Sequence, residues 1–269
     1  MEKGISLHPE YEALLAEAGR LREELSRLFL ERDHLLLQVV PYLEADYMVK
    51  VGSLEYKAYE LECRAARLRR KAELVRARLN RNQPVRDDEV EAQLNEEFAE
   101  YQRRLQEHMN ALKSALALWE NAVFLSEKDA AEMKKLYRQT IRRLHPDMNP
   151  GAGEDQARLF HQAMEAYKNG NLAMLRTIAL LTEDLPTPET MELIDELRAR
   201  TEALRARTEA IEKEIAGIKG SFPCNIEEFL KDDAWVAAQA RKAEARIASL
   251  REACASYERM LNDMLEGLS

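Results

Sequence analysis

Apolar residues recur along most of the chain in alternating steps of three and four. Over residues 9–40 the series is Tyr11, Leu14, Ala18, Leu21, Leu25, Leu28, Leu35 and Val39, with Arg32 in one slot. Sustained spacing of this kind predicts a helix carrying a coiled-coil seam. Pro41 is expected to interrupt it, because proline lacks an N–H and restricts the residue before it. A second series runs Tyr47, Val51, Leu54, Ala58, Leu61, Ala65, Leu68, Ala72, Val75 and Leu79, and stops at NRNQPVRDD, which holds Pro84. A third has Val90, Leu94, Phe98, Tyr101, Leu105, Leu112, Ala115 and Trp119, with His108 in one slot. Short breaks between long helices favour antiparallel neighbours. Residues 9–124 are therefore expected to form three helices folded back on one another as an antiparallel coiled coil.

The C-terminal third repeats the theme. RARTEAL at residues 198–204 is followed at once by RARTEAI at 205–211, a literal heptad repeat. The seam there is Ile194, Leu197, Thr201, Leu204, Thr208, Ile211, Ile215 and Ile218. KGSFPCN then reads as a turn, with Gly220 and Pro223 as breakers. The last series runs from Ile226 and Phe229 through Val236, Ala240, Ala243, Ile247, Leu250, Cys254, Tyr257 and Leu261 to Met264 and Leu268. Residues 189–269 are expected to form an antiparallel hairpin. Its second arm is the longer, and residues 257–268 are expected to pack back on the middle of the chain.

Composition agrees with long helices. Of the 269 residues 33% are charged and 46% apolar, with nine glycines, eight prolines and 6% aromatics. The fold class expected is all-α. Net charge is −9, which argues against a general nucleic-acid binder. No apolar stretch follows a basic start, and the longest apolar runs, such as LLLQVV, are too short to span a bilayer. Cys63, Cys224 and Cys254 lie far apart and match no metal spacing. They read as small core residues in a reduced, cytoplasmic setting. No phosphate loop, paired-carboxylate site or metal cluster is visible, so neither a cofactor nor enzymatic chemistry is expected.

Residues 64–81, RAARLRRKAELVRARLNR, hold eight Arg or Lys and one Glu. The run could bind phosphate. The next helix, however, opens DDEVEAQLNEEFAE, with seven acidic residues and no basic one. Complementary flanks on neighbouring helices favour a structural role for both.

The middle of the chain departs from the rod-like pattern. Ser126 followed by Asp129 can cap a helix starting near Glu127. Met133, Leu136, Tyr137, Thr140 and Leu144 then share one face, while Lys134, Lys135, Arg138, Arg142 and Arg143 spread over the remainder. Pro146 ends this helix at about Leu144 and is expected to leave His145 and Asp147 in an exposed loop. A second helix begins near Glu154, with Ala157, Phe160, Ala163, Met164 and Tyr167 inward. Asn169-Gly170 is a stop signal, and Asn171 can cap a third helix containing Leu172, Leu175, Ile178 and Leu181. LPTP at residues 185–188 separates the unit, expected over residues 126–184, from the C-terminal hairpin.

The stretches YRQTIRRLHPDMNP and FHQAMEAY resemble the J-domain, the co-chaperone module of the DnaJ family. Tyr137 stands eight residues before His145, as in that family's second helix. His145-Pro146-Asp147 matches its His-Pro-Asp signature, and Phe160, Ala166 and Tyr167 match its third-helix pattern. The AYKNGNLAML tail is similar to a bacterial subset that joins J-like segments to long helical arms. The resemblance spans residues 126–181. The family's short first helix has no counterpart, and the helix ending LALWENAVF is expected to take its place. The zinc module of full-length DnaJ is absent.

The resemblance implies docking on a DnaK-type heat-shock ATPase and faster ATP hydrolysis by that partner. Lys134, Lys135, Arg138, Arg142 and Arg143 would steer onto an acidic patch. Asp147 would pair with a basic group, Pro146 would stiffen the loop and His145 would brace it. The helical arms would hold an unidentified client or assembly partner. A second reading is a non-catalytic coiled-coil scaffold carrying a degenerate J-like unit. A third is anion or nucleic-acid binding through residues 64–81. Seam patterns are shared by intramolecular hairpins and homo-oligomers, so self-association stays open.

Overall fold

The computed structural model describes residues 9–120, 125–149, 151–182 and 194–266. Among these residues every regular element is helical and none is a strand. The helices are α1 (Pro9–His34), α2 (Val40–Tyr47), α3 (Ser53–Asn80), α4 (Asp87–Glu97), α5 (Ala99–Glu120), α6 (Glu127–Leu144), α7 (Glu154–Lys168), α8 (Leu172–Leu181), α9 (Ile194–Gly220), α10 (Glu227–Leu230) and α11 (Asp233–Glu266). The chain is all-α. The expected linker at residues 185–188, the 121–124 end of LALWENAVF, and Leu268 lie outside the described residues.

Pro41 does not break the helix as expected. It is the second residue of α2, and a π-helical turn, Leu35–Val39, precedes it. Proline's ring would clash with a carbonyl one turn back and offers it no N–H. The wider π turn changes that local spacing, which is the usual way a helix absorbs such an insult.

The chain divides into two compact units, Met1–Pro41 with Ala122–Asn225, and Tyr42–Asn121 with Ile226–Ser269. Each draws on non-consecutive stretches, so the expected segments 9–124 and 189–269 each contribute to both.

In the first unit the main partner of α9 is α1, where an α9–α11 hairpin was expected. Arg198 pairs with Glu10, Arg205 Nε reaches Glu17 Oε1 at 2.9 Å, and Lys219 Nζ reaches Glu31 Oε1 at 2.6 Å. All three partners are 188 residues apart, so the two helices run parallel. The expected α9 seam is the buried one: Leu197, Thr201, Leu204, Thr208, Ile211 and Ile215 are all buried. Thr201 and Thr208 return their hydroxyl protons to the carbonyls of Leu197 and Leu204, at 2.7 and 2.9 Å, which satisfies them inside an apolar seam. α1 buries more than a seam. Ala18, Leu25 and Leu28 are joined by Ser26, Phe29 and Asp33. The wider stripe covers α6 as well as α9, and all four helices α1, α6, α7 and α9 share one core with α8.

In the second unit α3 pairs with α11. Glu62 meets Arg246 and Arg64 meets Glu258, while Leu261 packs with Ala72 and Val75. Position numbers rise together along both helices, so this pair is parallel too. The tail expected to reach the middle of the chain lies on α3 instead: Met260, Leu261 and Met264 pack with Leu68, Val75 and Leu79.

The basic run of α3 faces α4 as its charges require. Arg70 grips Glu97 with Nε and Nη2 at 2.8 and 2.9 Å. Lys71 bridges Asp87 and Glu91, both at 2.7 Å, and Arg78 reaches Glu89 at 2.9 Å. Here the numbers run in opposite senses, and the ring pair Tyr59–His108 continues that direction into α5. Of the three helices expected to fold back on one another, α3 and the α4–α5 stretch lie antiparallel, whereas α1 takes α9 as its main partner. Four of the eight cations that suggested phosphate binding, Arg67, Arg70, Lys71 and Arg78, are paired with carboxylates of α4.

Ile211 is fully buried in the α1–α9 core. Ile211→Ala is expected to cost about 2–5 kcal/mol of folding stability, read as a lowered urea midpoint at unchanged slope. An effect under about 0.5 kcal/mol, the size of an ordinary surface substitution, would contradict burial there.

Candidate functional site

The site is built on α6. Ser126 caps it, accepting from the Asp129 amide at 3.1 Å, as expected. Met133, Tyr137, Thr140, Ile141 and Leu144 form its buried face. Thr140 is fully buried and donates to the Leu136 carbonyl at 3.0 Å, so its hydroxyl costs the core little. The helix stops where the sequence says it must: His145 sits at φ −62°, ψ 127°, the extended geometry that a following proline favours.

The turn after it is closed by its own backbone. The amides of Met148 and Asn149 both donate to the His145 carbonyl at 3.0 Å. Asn149 Nδ2 donates to the Arg142 carbonyl at 3.0 Å and ties the loop to the last helical turn. The Asp147 amide donates to His145 Nδ1 at 3.1 Å. That bond assigns the lone pair to Nδ1, so the neutral ring carries its proton on Nε2.

Helix α7 returns alongside α6 in the opposite sense. Tyr137 stacks on Tyr167 with centroids 4.3 Å apart, and His145 meets Phe160 edge-on at 5.0 Å. Gly170 takes φ 66°, the left-handed stop anticipated at Asn169-Gly170. Asn171 caps α8 through the Met174 amide at 3.0 Å. Arg176 on α8 clasps Glu132 on α6 with two bonds of 2.8 Å.

Helix α1 packs against this pair. Tyr137 Oη donates to buried Asp33 Oδ2 at 2.8 Å, and Asp33 is neutralised by Arg32 at 2.7 Å. Burial, then the Asp33 carboxylate, push the phenols of Tyr137 and Tyr167 up, so both stay protonated. Tyr167 Oη lies 3.3 Å from His34 Nδ1, and Gln38 donates to the Tyr167 carbonyl at 3.0 Å.

His145 was expected in an exposed loop. It is 6% exposed and stacks on Phe29 of α1, with centroids 3.8 Å apart and ring planes 25° apart. Burial holds its imidazole well below the usual value, at about 4. Asp147 and Asp33 pull it upward, and Arg32 and Arg207 push it down. Pro146 and Asp147 do remain exposed. Asp147 Oδ2 accepts from Arg207 Nε of α9 at 2.6 Å, and the same guanidinium lies 5.7 Å from the Phe29 ring centre. Lys134 and Lys135 are exposed. Arg138 and Arg142 both pair with Glu23 of α1. Arg143 leans toward the Ala179 carbonyl of α8 at 3.5 Å. The structure therefore gathers all eight expected residues on α6 and its loop. It also adds four that the sequence did not single out: Glu23, Phe29, Asp33 and Arg207. The charge signs of Glu23 and Arg207 were readable, but their apposition to α6 depends on the α1–α9 pairing.

Among the described residues no helix is long and apolar enough to cross a membrane. Comparison with known proteins finds no matching family model, no matching curated protein and no matching solved structure.

The depressed His145 value makes stability pH-dependent. The unfolded chain binds a proton near pH 6.5 that the folded ring refuses until about 4. Its contribution is fully present above 6.5 and is lost as pH falls from there toward about 4. Urea unfolding across that range should show falling stability for wild type and a flatter profile for His145→Gln. Identical slopes in the two proteins would contradict the buried, neutral imidazole.

Proposed function

We propose that this chain is a J-type co-chaperone that docks on a DnaK-type heat-shock ATPase and stimulates its ATP hydrolysis. One observation carries the reading. The exposed Pro146–Asp147 turn ends a basic helix, is braced from within by His145, and rests on an antiparallel helix pair joined through Tyr137, Phe160 and Tyr167. Proline rigidity lowers the ordering cost of docking, and a carboxylate at the tip makes short directional bonds to a partner's cation. Lys134, Lys135, Arg138, Arg142 and Arg143 supply the positive field that draws in an acidic surface. In this reading α6 and α7 are the J-domain hairpin, and α1 stands in for its first helix. The coiled-coil helices serve as arms for a client or assembly partner in the cytoplasm. The chain does no covalent chemistry itself.

A second reading is favoured by a specific observation: His145 is a core residue, and Asp147, Arg138 and Arg142 already have partners on α9 and α1. On that basis the chain would be a coiled-coil scaffold whose J-like unit only completes the fold.

ATP turnover by a cognate DnaK-type protein separates the two. Asp147→Asn should cut stimulation about tenfold or more, the worth of one charge-assisted hydrogen bond, and His145→Gln should cut it through loss of the loop brace. Equal turnover with wild type, Asp147→Asn and His145→Gln would favour the scaffold.

A further inference from the structure

The loop and basic helix proposed to dock on the ATPase are engaged by charges of the same chain. Two of the arginines and the loop carboxylate meet their opposites. Glu23 on α1 sits on Arg138 and Arg142. Arg207 on α9 holds Asp147 at 2.6 Å. Arg22 on α1 donates to the Met148 carbonyl, also in the loop, at 3.0 Å. These contacts come from two helices that are themselves fastened together by the Glu10–Arg198, Glu17–Arg205 and Glu31–Lys219 pairs.

We propose that the paired helices α1 and α9 form an intramolecular latch, with Glu23 and Arg207 as its two teeth, that an ATPase must displace before the His-Pro-Asp loop can act. The proposal rests on the co-chaperone reading and adds its regulation.

Displacement need not unfold the unit. Phe29, Leu25 and Leu28 anchor α1 in the core and stay in place. The teeth are at the surface: the Glu23 side chain is 54% exposed and that of Arg207 43%. Ion pairs so exposed are weak and exchange readily with solvent or with a competing surface. The latch also leaves capacity unused. The Nε–H groups of Arg138 and Arg142 are shielded and find no acceptor among the described residues. Once Glu23 is displaced and the two guanidiniums turn outward, a partner surface bearing several carboxylates can satisfy them. A competing cation on the same surface replaces Arg207 at Asp147. The exchange conserves the number of ion pairs, so the latch sets a threshold for docking and leaves the bound state intact.

The full chain carrying Glu23→Gln and Arg207→Gln tests the latch. Stimulation of a DnaK-type ATPase at sub-saturating chain should rise about three- to tenfold over wild type, the combined worth of two exposed pairs. Adding Asp147→Asn should abolish the gain. Amide exchange at residues 147–149 should quicken in the double variant, while the amide of buried Tyr137 stays protected and reports an intact fold. Equal or lower stimulation than wild type, with both lost on Asp147→Asn, overturns the latch and leaves the co-chaperone reading standing. Absence of stimulation by both chains removes that reading, and the latch falls with it.

Discussion

The stack of Phe29 on His145 is the contact on which the first unit depends. A ring from α1 lies flat against the imidazole that ends α6, and Phe160 closes the edge. The arrangement requires a neutral histidine, since burial costs a charged ring more hydration than Asp147 and Asp33 return, with Arg32 and Arg207 opposing them. It also requires α1 to be buried on more than its seam, which is why Phe29 and Asp33 are as enclosed as Leu25. From these needs the rest follows: Tyr137 finds its acceptor in Asp33, and Arg32 finds both a carboxylate and a ring face. The loop's proline and aspartate are left at the surface.

The α9 seam was legible, and so was the all-α class. Leu197 through Ile215 are buried in the expected rhythm, and Ser126, Asn171 and Gly170 punctuate the helices where expected. The partner of each seam was not legible from spacing, because a heptad stripe offers the same face to any apolar stripe. Charge carried the missing information. Glu10, Glu17, Glu24 and Glu31 recur every seven residues on α1, and Arg198, Arg205 and Lys219 keep the same beat on α9. Matching those two series predicts a parallel pair, whereas nearness in sequence suggests a hairpin. The complementary runs of α3 and α4 were matched in that way, and there the antiparallel expectation agrees with the structure.

The candidate site was half legible. Its α6 residues and loop stand together because one helix and one turn carry them. The exposure of His145 was misjudged because loop membership was taken to mean solvent contact. A short turn held by three bonds to its own helix can point one side chain inward while leaving its neighbours outside. Phe29 was invisible as a site residue for a related reason: it lies one position off the seam, beside Leu28, and only a second packing surface gives such a residue a purpose.

Together these features describe a unit in which a stiff turn and a basic helix rest against the paired helices α1 and α9. Apolar contacts hold the ring stack and ion pairs lie at the surface, so the two can be varied separately. The claim beneath all of this is that α1 lies over His145. Proton NMR titration of the His145 ring tests it most directly. The account predicts a titration midpoint near 4 with ring protons shifted upfield by Phe29, both moving toward free-histidine values in Phe29→Ala. A wild-type midpoint near 6.5, unmoved by that substitution, would contradict it.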